Sequence, residues 1–361
     1  MDICNFVFQT PCIERQEKMK FIVGYPTRAV PGFVDEIISA KDVIHEVYFA
    51  FGDIPNGRNS VGTDGELPFE RQMRLMDDLK RFTDNGIKLN LLFNGNCYGA
   101  DSQSRAFFNK IGEITDYIQS HFLLSSITTS SPLIAKFIGE NFEGIDRRAS
   151  VNMEIGNPAG MSYVKGYFDS LYLKREFNRD KKALLEMKSW CEDNGKTMYL
   201  LANSGCLNFC SAHTFHDNLV SHEAEISKMD NGYEFTGVCG DFLRDPEGLK
   251  LYLQRTNFIR PEDIELYEGL VPAVKLATRV NKVPARVLRA YVNGRYRGSV
   301  MELLEPDHSG LLFPSIVDNS ELPRDFGKTV FECDKNCSAC GKCIEAMEKA
   351  TKTIDYETYK I

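Results

Sequence analysis

The chain has 361 residues, of which 43% are hydrophobic and 26% are charged, and its formal net charge at pH 7 is -8. This balance is typical of a globular protein with a sizeable core and argues against intrinsic disorder. Because the basic residues are scattered, the composition indicates no large nucleic-acid-binding surface, and RNA is a less favoured substrate than a small molecule.

The N-terminal stretch MDICNFVFQTPCIERQEKMK lacks the basic start and apolar run of a secretion signal. Nowhere do about eighteen apolar residues follow one another, as a membrane-spanning helix would require. We therefore expect a cytoplasmic protein without a membrane partner. Eleven cysteines are present, and in a reducing compartment grouped cysteines are more typical of metal or cluster sites than of disulfides.

Apolar, β-branched runs alternate with helical patterns from residue 20 onward, which is typical of repeated βα units. The predicted strands are FIVGY (21–25), EVYFAF (46–51), KLNLLF (88–93), SSITTS (125–130), ASVNMEI (149–155), SLYLK (170–174), TMYLLA (197–202) and AVKLAT (273–278). Helical spacing of apolar residues occurs at 33–44, 68–86, 179–195 and 284–296. Two of these stretches end in Asn-Gly, a common helix stop.

Eight strands, each followed by a helix, predict an α/β fold of the TIM-type (β/α)8 barrel class, with an open doubly wound sheet as the alternative. We expect residues 1–299 to form the barrel and residues 300–361 to form a C-terminal extension with a cysteine-rich metal-binding tail. In such barrels, functional residues lie in the loops after the strands. The long loop 52–68, rich in Gly, Asn and Pro, is predicted to cover the barrel mouth as a lid.

The segment after the seventh strand contains Cys206 and Cys210, separated by three residues, and Cys239 is the nearest further thiol. Thiolates this close together at a strand end can bind one metal ion or one face of an iron–sulfur cluster, although two small buried residues can also be neighbours by chance. His213 and His216 follow in the same segment. We assign them a hydrogen-bonding or acid–base role before direct ligation.

The tail carries a second group of thiols, in the spacing C-x3-C-x2-C-x2-C, formed by Cys333, Cys337, Cys340 and Cys343. Four unligated thiols this close together are an oxidation liability, so the spacing predicts a metal site. A tetrahedral zinc site and an iron–sulfur cluster both fit it. The first three thiols also match the spacing of radical S-adenosylmethionine enzymes, but that motif belongs near the start of its barrel, so we treat the match as coincidental.

Polar residues mark several predicted strand ends: Asn152, Glu154, Asn157, Arg175, Glu176, Lys275 and Arg279. Charged groups at a barrel mouth either pair with a neighbour or meet a substrate. For Arg175 and Glu176, a structural ion pair and a functional role both remain open. For Lys275 and Arg279, the last strand of a barrel is a common place to bind an acidic group.

Four stretches resemble the collagenase-like peptidase U32 family: SVNMEIGN (150–157), SLYLKREFNRD (170–180), ANSGCLNFCSAHTFHDN (202–218) and FIRPEDIELYEGLVPAVKLATRV (258–280). The resemblance covers about residues 150–300. It implies a TIM-like barrel and, in several members, an iron–sulfur protein that serves oxygen-independent hydroxylation of RNA bases or of a quinone precursor. In some branches prephenate is the implied oxygen donor.

The resemblance implies that a [4Fe–4S] cluster is held by Cys206, Cys210 and Cys239. The chain departs from the family in having Ala202-Asn203 before the first cysteine, a shorter interval between the cysteines and no Cys-x-x-Cys-Arg block at Cys239. The fourth ligand is therefore open, and Cys97 and a tail thiol are the alternatives.

These observations lead to one leading hypothesis and two rivals. The leading hypothesis is an iron–sulfur barrel enzyme that acts on a small anionic substrate or a modified macromolecule in an oxygen-independent redox or hydroxyl-transfer reaction. Its predicted catalytic residues are Glu176, His213 and His216, and its predicted substrate-binding residues are Asn152, Asn157, Arg175, Lys275 and Arg279. The rivals are a peptidase that uses a Cys206 nucleophile or a zinc-activated water, and a non-catalytic subunit that carries a cluster and binds a related barrel partner or an electron donor.

Overall fold

The structure is a computed structural model, and it describes residues 18–57 and 67–354. Eight parallel strands close into a barrel in chain order, so the predicted TIM-type fold is confirmed. The barrel strands are β1 Lys20–Gly24, β2 Ile44–Phe49, β3 Leu89–Phe93, β4 Leu124–Thr129, β5 Asp146–Ala149, β6 Ser170–Tyr172, β7 Thr197–Leu201 and β8 Ala273–Leu276. Pairing of β1 with β8 completes the ring.

Helices cover the outside of the barrel and the ends of its strands. Up to the end of β7 they are α1 Phe33–Ser39, α2 Pro68–Asp84, α3 Arg105–His121, α4 Pro132–Asn141, α5 Pro158–Val164 and α6 Lys181–Asp193. Beyond β7 they are α7 His213–Ser221, α8 Glu223–Ile226, α9 Val238–Arg244, α10 Pro246–Lys250, α11 Tyr252–Arg255, α12 Pro284–Val292, α13 Ser309–Leu312, α14 Phe326–Phe331 and α15 Lys342–Ala350. Among the described residues, none of these helices combines the length and apolar character needed to span a bilayer.

The Asn-Gly helix stops are confirmed. Helices α2 and α6 end just before Asn85-Gly86 and Asn194-Gly195. Gly86 and Gly195 have φ angles of 73° and 61°. Glycine adopts this left-handed conformation without the steric cost that a side chain would add, so the two dipeptides end their helices where the sequence predicts.

The fifth strand lies earlier in the chain than predicted. The sequence pattern favoured 149–155, whereas β5 is Asp146–Ala149, and residues 151–153 form a 3-10 turn. Three of the four residues of β5 are charged, which hides the strand from a search for apolar runs. They fit because Arg147 forms an ion pair with Asp169 outside the barrel and Arg148 points into its interior.

The barrel interior contains a buried ion pair that the sequence analysis did not anticipate. The Arg148 guanidinium contacts both carboxylate oxygens of Glu46, and each side chain is only 2% exposed. Glu46 also accepts hydrogen bonds from Asn90 Nδ2 at 2.7 Å and Ser126 Oγ at 2.9 Å. Burial opposes ionisation of Glu46, but Arg148 and Asn90 outweigh it and hold its pKa below the usual value.

The remaining donors of Arg148 are also used, and their acceptors are Asp146, Ser170 and Tyr172. The guanidinium carbon lies 4.0 Å from the centroid of the Tyr199 ring. Apolar side chains fill the rest of the interior: Ile22, Tyr48, Leu92, Val151, Tyr172, Tyr199, Leu201 and Ala273. The interior is therefore packed, with one satisfied polar network at its centre.

Residues after 299 pack against the barrel. Strands β9 Ser315–Val317 and β10 Thr351–Thr353 form an antiparallel pair beside the barrel. Gly327 of α14 lies so near Asp263 that an added Cβ would be 2.0 Å from the Asp263 Cγ. Phe331 and Met347 belong to the same hydrophobic cluster as the outer face of the barrel strands. The division at residue 299 stays a prediction, and residues 58–66 of the predicted lid lie outside the described residues.

The buried pair predicts a large stability loss when one partner is removed. In Arg148→Met, Glu46 keeps its burial but loses its counter-charge, so we expect the free energy of unfolding to fall by about 3–5 kcal/mol. Urea titration followed by circular dichroism measures this difference.

The matched control is Arg147→Met, one residue away on the opposite face of β5. Its ion pair with Asp169 is partly exposed, so the expected loss is about 1 kcal/mol or less. Equal losses in the two variants would contradict a structural role for the buried pair.

Candidate active site

A cavity of about 80 Å³ lies at the C-terminal ends of the barrel strands, where TIM barrels carry their active sites. The charged side chains that line it are Arg175, Asp217, Lys275, Arg279 and Glu305. At roughly 10–15 Å³ for each water-sized group, the cavity has room for about half a dozen such groups. Its size therefore suits a small molecule or the end of a larger one.

A larger cavity, of about 680 Å³, lies at the opposite end of the barrel. Residues at the start of β1 and β7, such as Lys20 and Thr197, line it. Residues at this face of a barrel serve stability rather than catalysis. We therefore place the candidate active site in the smaller cavity.

Lys275 lies within the barrel, between two aromatic rings. Its Nζ is 4.0 Å from the centroid of the Tyr48 ring and 4.9 Å from that of Tyr172, and the residue is 7% exposed. Burial, followed by the nearby charges of Arg279 and Arg148, lowers the pKa of Lys275 to about 7. A lysine of this kind can change its charge near neutral pH.

Arg175 connects the cavity to the cysteines that follow β7. Its Nη1 lies 3.3 Å from the Sγ of Cys206. Burial opposes the charge on Arg175, but the charges of Cys206 and Asp217 raise its pKa above the usual value. The guanidinium therefore faces both the cavity and a thiol.

Helix α7 covers the barrel mouth and supplies Asp217 to the cavity. Its C-terminal end is held to the loop after β3, because Asn96 donates its backbone N–H to Ser221 Oγ at 2.9 Å. At its N-terminal end, His213 Nδ1 lies 3.1 Å from Glu154 Oε1, beyond β5, and His213 Nε2 lies 3.4 Å from Asp217 Oδ2. The predicted lid after β2 stays a prediction, because residues 58–66 lie outside the described residues; α7, after β7, supplies Asp217 to the cavity lining.

The two predicted catalytic histidines have different surroundings. His213 sits between Glu154 and Asp217. Burial opposes the charge on Glu154, yet its close contacts with His213 and Lys174 lower the pKa of Glu154 to about 2. His216 packs instead against Phe235, with ring centroids 5.6 Å apart. His213 thus lies beside two carboxylates of the mouth.

Glu176 fixes the cysteine loop. Its Oε1 accepts a hydrogen bond from the backbone N–H of Phe209 at 3.2 Å, and its backbone carbonyl accepts one from Asn257. Phe209, between Cys206 and Cys210, has a φ angle of 54°, a strained conformation for an aromatic residue. The carboxylate of Glu176 thus supports an unusual turn.

The two predicted asparagines also differ. Asn152 lines the cavity, and its Nδ2 donates to the backbone carbonyl of Asn94 at 3.3 Å. Asn157 is an N-cap: its Oδ1 accepts a hydrogen bond from the backbone N–H of Gly160 at 2.9 Å, at the start of α5. An N-cap satisfies a backbone donor at the first helical turn, so Asn157 has a structural role outside the cavity lining.

Cys206, Cys210 and Cys239 form one group of interacting thiols. Burial raises the pKa of Cys239, and the charges of Cys206 and Cys210 raise it further. Cys97 lies elsewhere at the mouth, beside His222, and a hydrogen bond with that histidine lowers the pKa of its thiol. His222 in turn contacts Glu225, at 3.0 Å.

The tail thiols form a second group. Cys333, Cys337, Cys340 and Cys343 all line one cavity of about 530 Å³. Burial raises the pKa of Cys343; Arg179 opposes this, and the other three tail thiols raise it further. The thiol charges that act on Cys343 come from the tail, and those that act on Cys239 come from the barrel group.

The described part of the chain shows no side chains arranged around a single metal ion. Within residues 18–57 and 67–354, no three His, Cys, Asp or Glu side chains converge as one zinc ion would require. A cluster instead takes thiolates around several irons, so neighbouring thiols need not converge on one point.

Several residues of the site escaped the sequence analysis. Tyr48 was part of a predicted strand, and its ring now lies beside the Lys275 amine. Asp217 and Glu305 reach the cavity from α7 and from the region after residue 299. Only the alternation of inward and outward residues along β2 could have indicated Tyr48, and no local signal marks the other two.

Comparisons with known proteins agree with the fold and with the motifs. No protein-family model matches the chain. Over 191 residues it is 30% identical to the uncharacterized protease MJ1657 of Methanocaldococcus jannaschii, in an alignment that covers 51% of this chain and 53% of that protein. The chain thus spans about half the length of this curated relative.

The solved structure of the U32 peptidase Mk0906 has a similar fold, with a TM-score of 0.51 and 12% identity over 75% of this chain and 97% of that chain. The sequence match, the barrel fold and the motifs in residues 150–300 thus all indicate similarity to U32 peptidases.

Proposed function

We propose that this protein is an iron–sulfur enzyme that binds a small anionic substrate in the barrel mouth and carries out an oxygen-independent redox or hydroxyl-transfer reaction on it. The observation that carries the proposal is that the cationic side chains lining the cavity are buried. Lys275, Arg175 and Arg279 are each less than a tenth exposed and line the same small space.

The charges of the cavity favour an anionic ligand. Three cationic side chains face two carboxylates, those of Asp217 and Glu305. Within the described residues, Lys275 Nζ has no hydrogen bond and no ion pair. Because a buried charge without a partner is costly, an anion that enters the cavity supplies a missing interaction.

Cys206, Cys210 and Cys239 would hold the barrel cluster together with one further thiol, and the tail cysteines would hold a second cluster. When bound, a [4Fe–4S] cluster supplies one-electron chemistry. Arg175 supports this arrangement from the protein side, because its guanidinium offsets negative charge on Cys206 while it faces the substrate cavity.

Proton transfer is assigned to the group formed by His213, Glu154 and Asp217. The low pKa of Glu154 keeps its carboxylate ionised, and that carboxylate orients one ring nitrogen of His213. The other ring nitrogen faces Asp217, a cavity residue. A histidine held in this way can pass a proton toward a bound ligand.

A peptidase is the rival hypothesis that the name of the relative, an uncharacterized protease, suggests. It requires a base beside Cys206. Among the described residues, no hydrogen bond connects Cys206 with His213, and the contact recorded for the Cys206 thiol is with Arg175. Cleavage of a peptide panel that is lost in Cys206→Ala but survives loss of iron would favour this rival. A chain that shows no turnover alone but forms a stable complex with a barrel partner would favour a cluster-bearing subunit.

Metal analysis of anaerobically purified protein tests the cluster proposal. We expect the wild type to contain iron and sulfide. Because the proposal has one cluster in each thiol group, Cys206→Ala should contain about half of the wild-type iron and sulfide. The double variant Cys337→Ser with Cys340→Ser should also contain about half. Serine substitutions suit the tail better than truncation, since Ala346 and Met347 of α15 are buried in the core.

Cys191→Ala is the matched control for these variants. Cys191 is buried on α6 and belongs to neither group, so its removal should leave iron and sulfide unchanged. Wild-type protein without iron and sulfide would contradict the proposal. Loss of all iron in the tail variant would instead show that the tail donates a ligand to the barrel cluster.

Anion binding tests the cavity. Calorimetric titration with malonate should give a dissociation constant at least tenfold weaker in Arg279→Gln than in the wild type, because a buried charge-assisted contact is worth about 1.5–3 kcal/mol. Binding by the wild type should also weaken as the pH rises through about 7, since Lys275 loses its positive charge there.

Arg289→Gln is the control for the arginine substitution. It removes the same charge from the exposed side of α12, where Arg289 pairs with Glu36, and should leave malonate affinity unchanged. Equal affinities in Arg279→Gln and the wild type would argue against the cavity as an anion site.

A further inference from the structure

Lys275 has the surroundings of a reactive amine. It projects from β8 into the barrel interior, lines the cavity and lies over the Tyr48 and Tyr172 rings. A lysine that served only as a positive charge would be better stabilised by a nearby carboxylate. Within the described residues, its amine has no such ion pair, and the one carboxylate deep in the barrel, that of Glu46, is bound by Arg148.

The charged groups around Lys275 come from several elements. They are Glu46 on β2, Arg148 on β5, Arg175 after β6, Asp217 on α7, Arg279 after β8, and Glu305. The positive charges of the guanidinium groups lower the pKa of Lys275 more than the negative charge of Glu46 raises it. Together with burial they lower the pKa of Lys275 to about 7, so the amine can lose its proton near neutral pH. An unprotonated lysine near a cationic group is the form that attacks carbonyl carbon.

The cavity also offers a place for a carboxylate beside that amine. Arg279 lies four residues after Lys275, lines the same cavity and is 5% exposed. Guanidinium groups bind carboxylates through paired hydrogen bonds. A ligand that carries a carboxylate and a carbonyl on adjacent carbons would meet both groups in a space of about 80 Å³.

We propose that Lys275 forms a protonated imine with a small 2-oxo carboxylate whose carboxylate group lies against Arg279. The inference rests on the proposed anion site and names its substrate class. The amine of Lys275 attacks the carbonyl carbon, a C–N bond forms, and one proton moves from nitrogen to oxygen. The resulting hydroxyl takes one proton from solvent and leaves as water, which gives the C=N bond without any oxidant or reductant.

An imine at this position has a chemical use. Its positively charged nitrogen withdraws electrons through the C=N carbon, and this makes a C–H bond on the next carbon easier to break. Glu46 and Arg148 lie below Lys275 in the barrel and already satisfy each other. The charge of the imine is therefore free to act on the ligand. An arginine at position 275 would retain the positive charge but could not form this bond.

Trapping with borohydride under anaerobic conditions tests the inference. Pyruvate is the probe, lactate is the matched ligand without a carbonyl, and peptide mapping by mass spectrometry locates the reduced adduct. We expect one adduct, on the peptide that contains Lys275, with pyruvate and none with lactate. The yield at a fixed short time should increase as the pH rises through about 7, because the neutral amine is the nucleophile.

Lys275→Arg should abolish the adduct while pyruvate still binds in calorimetry. Lys80→Arg is the control, since Lys80 lies on the exposed face of α2 in an ion pair with Asp84 at 2.8 Å, and it should leave the adduct unchanged. If Lys275→Arg does not fold, the position of the adduct in the wild type decides the question.

Pyruvate binding without an adduct at Lys275, or adducts of equal yield on surface lysines, would overturn the imine and leave the anion site standing. Absence of binding by pyruvate, lactate and malonate alike would overturn both.

Discussion

The buried contact between Glu46 and Arg148 determines much of this barrel. Two charges at the centre of a packed interior are costly unless every donor and acceptor is matched. Here the guanidinium contacts Glu46, Asp146, Ser170 and Tyr172. Because β2, β5 and β6 all contribute to this network, it links strands on different sides of the barrel and holds their relative positions.

The same pair influences the mouth. Glu46 is paired with Arg148, so among the described residues no interior carboxylate forms an ion pair with Lys275. The charge of Arg148 further disfavours protonation of that lysine. The structural core therefore sets the protonation of a residue in the candidate site, and a change in the pair would be felt in the cavity as well as in stability.

Sequence patterns predicted the barrel well where strands are apolar and helices amphipathic. They located seven barrel strands and misplaced β5, because DRRA shows no apolar run. Its charged residues make sense only when Glu46, about a hundred positions away, is known to face Arg148. The cover formed by α7 depends on contacts such as that between Asn96 and Ser221, which no local pattern contains.

The prediction of individual site residues had the same limit, because a local pattern does not contain distant contacts. Lys275, Arg279, Arg175 and Asn152 were selected because they lie at strand ends, and the structure brings them to one cavity. Asn157 was selected on the same grounds but caps a helix, because a strand end is also where the next helix begins. Position along the chain identifies the mouth of a barrel, but it does not say which side chains turn inward.

The segment after β7 connects the two parts of the candidate site. Cys206 and Cys210 lie at its start, and α7, which follows at once, carries Asp217 into the cavity. Arg175 contacts Cys206 and lines the cavity too. A ligand that draws Arg175 toward its own negative charge therefore weakens the contact of that guanidinium with the thiol. In the enzyme proposed above, one arginine would therefore lie between a bound anion and the cysteine group, and binding of the anion would change the charge around those thiols.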